Sequence, residues 1–174
     1  MVIINNSNKR LSTFYANIHQ IPKIEKILIN TGLGLNALNK ASLNKAIEEV
    51  RLISGQQPVI TLAKKSIAGF KIRKGIPIGV KVTLRRKKME AFFEKLIRII
   101  LPNTKDFRGM SPEHFDSKGN YNFGIEDQSV FPEIDYDLIE QKRGVNISIV
   151  TQAQSVSEGK LLLECLGFPF IKLD

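Results

Sequence analysis

Ten lysine and arginine side chains fall between Thr61 and Lys88 with no carboxylate among them: Lys64, Lys65, Lys71, Arg73, Lys74, Lys81, Arg85, Arg86, Lys87 and Lys88. Cations at that density, with no acid interspersed, suggest a polyanion-binding patch. The segment Lys64 to Pro77 is too long for an ordinary hairpin turn and reads as a functional loop. Gly69 and Gly75 permit bending, Phe70 offers a stacking surface, and five cations line the remainder. We expect this loop to be mobile in the free protein and to order against nucleic acid.

Other residues suggest catalysis more weakly. Gly32-Leu33-Gly34-Leu35-Asn36-Ala37 fits the relaxed dinucleotide fingerprint between a strand and a helix. However, Thr61 stands where an acidic residue should hold the ribose, and a basic loop follows where a crossover helix is needed. The glycines read better as a tight turn that lets a ligand approach the backbone. Glu133, Asp135, Asp137 and Glu140 match no standard calcium loop and read as an exposed acidic segment. His19 and His114 have no ligand-spaced companions, so no metal is expected. The single Cys165 excludes an internal disulfide and reads as a core residue. No nucleophile-base-acid set stands out, so the chain is expected to be neither an enzyme nor a cofactor protein.

The elements that must position these groups follow from periodicity. Lys23 to Thr31 reads as a strand between Pro22 and Gly32. A helix from about Leu38 to Ser54 carries the stripe Leu43, Ala46, Ile47, Val50 and Ile53, with Gly55 as its stop. Pro58 to Thr61 and Gly79 to Arg85 read as strands. A helix from about Lys87 to Leu101 buries Met89, Phe92, Phe93, Leu96, Ile97 and Ile100 and is expected to end at Pro102. Strand-like pieces lie near Tyr121–Phe123 and Ser129–Phe131, and Val145 to Thr151 alternates cleanly. The last helix opens on the capping box Ser155-Val156-Ser157-Glu158 and closes at Gly167. A short amphipathic piece surrounds Leu11, Phe14 and Tyr15.

This order predicts a single α+β domain over residues 1–174: a mainly antiparallel sheet of ferredoxin-like character, helices on one face, a basic loop at 62–78, and an extension at 1–20. Helices would cover Val80, Val82, Leu84, Ile147 and Ile149. The other face would present Lys26, Asn30, Lys81, Thr83, Arg85, Asn146 and Ser148, none of them acidic, a surface suited to RNA phosphates and hydroxyls.

The formal net charge is +9, and its distribution tells more than its size. Residues 1–60 balance at +4, residues 61–88 at +10, and residues 89–174 at −5. Solubility alone would intersperse the signs. Apolar residues at 43% and charged residues at 25% argue for a folded globule. No apolar run approaches a membrane span of about 20 residues. The start Met1-Val2-Ile3-Ile4 has no basic leader, and a soluble protein of a reducing compartment, with no membrane partner, is expected.

Three runs, Ile53–Thr61, Ser66–Arg73 and Gly79–Arg85, closely resemble the family of the fifth protein of the large ribosomal subunit. Asp106–Gly109, Phe115–Tyr121 and Phe131–Asp137 extend the resemblance, in order, from about residue 18 to 170. It is of the bacterial type. The resemblance implies binding to 5S ribosomal RNA and adjacent large-subunit RNA in the central protuberance, beside neighbouring large-subunit proteins. It also implies an intersubunit bridge with small-subunit ribosomal protein thirteen, and a basic loop reaching the peptidyl-site transfer RNA. Asn30, Gln56 and Thr83 carry over as RNA-facing residues, with Lys81 and Arg85 nearby and Lys26 and Thr61 on the same sheet. Lys64, Lys65, Phe70, Lys71, Arg73 and Lys74 form the loop near transfer RNA. The amino-terminal helix looks shortened, Gly124–Gln128 carries an acid where the family commonly has Arg, and Pro102–Lys105 replaces a more Arg-rich segment. Heavy use of Ile, Lys and Asn, and the run Asn17–Lys23, favour a ribosome in a plastid over one in a mitochondrion or a bacterial cytoplasm.

Overall fold

The computed structural model describes residues 15, 17–105, 107–136, 139 and 141–171. The expected piece around Leu11 and Phe14 lies outside these residues. Five strands, β1 (Ile24–Gly32), β2 (Val59–Leu62), β3 (Pro77–Leu84), β4 (Tyr121–Ile125) and β5 (Val145–Thr151), make one antiparallel sheet in the order β2-β3-β1-β5-β4. Among the described residues the longer helices of this α+β fold are α1 (Lys40–Ser54), α2 (Arg86–Lys95) and α3 (Val156–Cys165). The strands alternate as the sequence pattern demands. Ile27, Ile29, Val80, Val82, Leu84, Ile147 and Ile149 are all at most 2% exposed, whereas Asn30, Lys81 and Asn146 are exposed.

The chain divides into two compact units. One comprises Leu28–Leu84 and Gly124–Ile147. Within it, α1 packs on β3 through Leu43, Ala46, Val50 and Ile53. Asn39 caps this helix by accepting from the N–H of Ala41 at 3.0 Å, and Gly55 ends it in the left-handed region at φ 61°. Arg143, only 7% exposed, donates to Glu49 at 2.9 Å and to Ser42 at 3.0 Å. The buried Gln128 accepts from the Arg143 N–H and donates to the Gln141 carbonyl at 2.7 Å. These bonds pin the return segment. They also account for a difference from the expected strand at Ser129–Phe131. Gln128–Val130 is a 3-10 turn capped by the Asp127 carboxylate, which accepts from Ser129 N–H at 3.0 Å, and it delivers Phe131 to full burial.

The other unit comprises Arg85–Phe123, the chain from Ser148 onward, and the described residues up to Ile27. Its centre is aromatic. Tyr121 lies 4.8 Å from Phe115, 5.3 Å from Phe168 and 5.5 Å from Phe170, measured between ring centroids. Its hydroxyl donates to the Ser111 carbonyl at 2.8 Å. Beyond Lys95 the second helix widens into a π turn, Leu96–Ile100, and finishes as Leu101–Asn103. Pro102 therefore sits inside the last turn rather than ending the helix. It has no N–H to give, and its ring crowds the carbonyl four residues earlier, a conflict that a wider turn relieves. The third helix starts as expected, with Ser155 accepting from Glu158 N–H, and ends in a Schellman pair, Phe168 N–H to Leu163 at 2.9 Å and Gly167 N–H to Glu164 at 3.0 Å. Cys165 is half-buried there rather than in the core.

Candidate nucleic-acid interface

The uncovered face of the first unit is built by β1, β2 and β3. Register pairs Val59 with Lys81 and Thr61 with Gly79, so all four share that face. Gly79 is a position where only glycine fits: a Cβ there would sit 2.5 Å from the Thr31 carbonyl and 3.3 Å from the Thr61 hydroxyl. Its bareness lets the chain lie flat while Thr61 leans across it. Asn30 and Lys81 are exposed, and Thr61 and Thr83 are half-buried. Gln56, just past the α1 stop, reaches back and donates its amide to the Thr83 carbonyl at 3.3 Å. Five of the expected contact residues, Asn30, Gln56, Thr61, Lys81 and Thr83, thus belong to this unit. They offer hydroxyls, amides and one cation beside the exposed Val59 of the same face.

The stretch between β2 and β3 is not a structureless loop. Ala63 N–H donates to the Ile76 carbonyl at 2.8 Å, and Gly75 N–H returns to Ala63 at 3.0 Å. Farther out, Ile67 and Ile72 exchange both bonds of an antiparallel pair, at 2.9 and 3.2 Å. Between them Ala68–Phe70 form one 3-10 turn, closed by Lys71 at φ 54°. The Ser66 hydroxyl accepts from Lys74 N–H at 3.0 Å. Gly75 supplies one of the expected bends, at φ 87°, and the backbone satisfies itself in a two-tiered arm. Lys64, Lys65, Phe70, Lys71, Arg73 and Lys74 are all exposed on it. No carboxylate of the described residues pairs with these cations or with Lys81, so their charge is available to a ligand.

Lys26 and Arg85 belong to the other unit. Lys26 lies 3.2 Å from the Glu25 carboxylate, an exposed pair of the kind that contributes at most about 1 kcal/mol and is readily exchanged. Arg85 is exposed at the start of α2, followed by Arg86 in the left-handed region at φ 52°. Sequence reading did not mark Arg86 as unusual, because nothing in its neighbours signals a positive φ.

The tempting motifs lead elsewhere. Gly34 does take a positive φ of 56°, but a 3-10 turn over Gly34–Leu38 separates it from α1, whose end Asn39 already caps. Asn36 donates to Gln141 at 3.3 Å. Glu133 and Asp135 are exposed, while Asp137 and Glu140 lie outside the described residues. Among the described residues no group of three or more His, Cys, Asp or Glu could hold a metal ion, and no helix is long and apolar enough to cross a membrane.

Known proteins share this sequence over nearly its whole length. The family "Ribosomal protein L5" matches residues 17–73, and the C-terminal part of the same ribosomal family matches residues 77–170. The chain is 56% identical to large ribosomal subunit protein uL5c of Heterosigma akashiwo over 163 residues, covering 93% of this chain and 90% of that one. It is 53% identical to large ribosomal subunit protein uL5 of a Synechococcus strain, covering 97% and 93%. With uL5c of Porphyra purpurea it shares 56% identity, covering 90% and 86%. The chain therefore belongs to the ribosomal protein L5 family, a non-enzymatic structural constituent of the large ribosomal subunit.

Proposed function

We propose that this protein binds 5S ribosomal RNA, with adjacent large-subunit RNA, through the open face that carries Asn30, Gln56, Thr61, Lys81 and Thr83. Lys26 and Arg85 add contacts from the other unit. The arm carrying Lys64, Lys65, Phe70, Lys71, Arg73 and Lys74 extends to peptidyl-site transfer RNA. In this reading the protein sits in the central protuberance beside other large-subunit proteins and joins small-subunit ribosomal protein thirteen in an intersubunit bridge. The uL5c relatives support a plastid ribosome as its location.

One observation carries the reading. A face whose hydroxyls, amides and lysine are joined by no acid, and an arm of cations without carboxylate partners among the described residues, lie in the same compact unit. Self-satisfied cations would have argued for a solvated surface; these leave their charge for phosphates. Phosphate contacts position such a protein, and RNA shape and non-helical bases supply its selectivity.

The test is cosedimentation of the native protein with large subunits and 5S ribosomal RNA at moderate salt, paired with filter binding to isolated 5S RNA. Binding that falls steeply with salt is expected. If contacts reach roughly six to ten phosphates, affinity drops about a thousandfold or more between 50 and 200 mM. Salt-insensitive association, or none, overturns the reading.

A further inference from the structure

Phe70 is 66% exposed, and it is the one exposed phenylalanine among the described residues. Its neighbour on the arm, Ile67, is 48% exposed. Neither exposure reflects a loose chain, because the Ile67–Ile72 pair and the Lys71 N–H bond to Ala68 at 3.0 Å fix the turn that holds them. A hydrogen-bonded arm that carries its largest apolar group at the tip presents a surface suited to a partner.

Resting on the RNA-binding reading above, we infer that the tip of this arm engages unstacked nucleobases, as in an RNA loop or bulge, and not continuous duplex. A paired A-form helix offers phosphates and 2′-hydroxyls but no base face for an aromatic ring to cover. Unstacked bases offer that face, and each phosphate beside them meets a cation of the same arm. A protein pocket is the less suitable occupant. Five cations, Lys64, Lys65, Lys71, Arg73 and Lys74, surround the tip, and residues 61–88 contain no acid to offset their desolvation.

Three RNA probes with equal numbers of phosphates test this against the full-length chain: a stem with an unpaired loop, the same molecule with abasic loop positions, and a continuous duplex. The unpaired loop is expected to bind tightest. Phe70→Ala should weaken loop binding about tenfold, the range one base–aromatic stack supplies, while leaving duplex binding, the salt slope and the thermal midpoint unchanged. Phe70→Trp should restore it. Equal affinity for the natural and abasic loops, or no effect of Phe70→Ala on loop binding, overturns the inference. If Phe70→Ala instead releases the protein only from RNase-treated subunits, the tip serves a protein and the inference again falls. Failure of the RNA reading itself looks different: replacing the five arm cations with Ala would then leave affinity and salt slope unmoved on all three probes.

Discussion

The side-chain amide of Gln56 donates to the main-chain carbonyl of Thr83 at 3.3 Å, tying the residue after the α1 stop to a strand 27 positions later. Gln56 is thereby held, and its own amide oxygen remains as an acceptor. Thr83 keeps its hydroxyl. Thr83→Val preserves shape and should weaken 5S RNA binding by roughly 1 kcal/mol with no change in thermal midpoint. Gln56→Ala should lower both, since it also removes the cross-link. Filter binding and thermal unfolding of the two variants separate the effects; equal RNA affinity for wild type and Thr83→Val would remove Thr83 from the interface.

The arm should act through charge number. Replacing Lys64, Lys65, Lys71, Arg73 and Lys74 with Ala reduces the slope of log affinity against log salt by about 0.7–0.9 for each phosphate that is no longer neutralised. The hairpin bonds involve backbone and Ser66, so the fold persists. A salt series on both proteins, with circular dichroism as the control, measures this.

Gly159 of α3 lies against the backbone of Gly119, and a Cβ on it would collide with the Gly119 carbonyl. Gly159→Ala should therefore destabilise the protein by about 1–3 kcal/mol, although alanine favours a helix. Gly69→Ala, where nothing lies within 4 Å and φ is not positive, is the matched neutral control. Denaturant midpoints compare the two.

Burial pushes the Asp116 carboxyl up, but hydrogen bonds outweigh it and hold the group below its ordinary value. The side chain of Asn120 donates at 2.8 Å, its N–H at 2.8 Å, and Lys118 N–H at 2.9 Å. A carboxyl depressed in the folded state stabilises above its unfolded pKa of about 4 and loses that contribution as pH falls through the folded value. Stability should thus decline on acidification below about pH 4. Asp116→Ala should cost about 1–2 kcal/mol at neutral pH and flatten that decline, read from denaturant midpoints across pH.

Burial raises the Tyr121 hydroxyl to about 12, and it donates to Ser111. Here the sign reverses. The stabilisation is complete below the unfolded pKa of about 10 and is lost as pH rises toward the folded value. Tyr121→Phe should cost about 1 kcal/mol near neutrality and remove that alkaline loss, as denaturant midpoints at neutral and alkaline pH would show.

Much of the frame could be read in advance because hydrophobic alternation is a local signal. Val145–Thr151 alternates without interruption, and that strand begins and ends where its residues say. Ser155, Gly55 and Gly167 mark helix ends through capping chemistry that needs only a few neighbours. Features set by distant groups were hidden. Ser129–Phe131 has strand-like residues, yet Gln128 and Asp127 bend it through bonds to Arg143, Gln141 and Ser129. The π turn at Leu96–Ile100 resolves a conflict between Pro102 and a helix whose buried face continues past it. In the candidate interface, residue types told which groups could meet RNA. They did not tell that the arm folds on itself, that Lys71 takes a left-handed turn, or that Gln56 is fastened to Thr83.

The sheet ends at β2, whose outer side has no strand neighbour among the described residues and whose Val59 and Leu62 are 60% and 58% exposed. A short apolar border strand is a template for self-association, and only its small size and the lysines beside it restrain that. Isolated copies carry this border bare, so the purified protein should self-associate as its concentration rises, which light scattering would read.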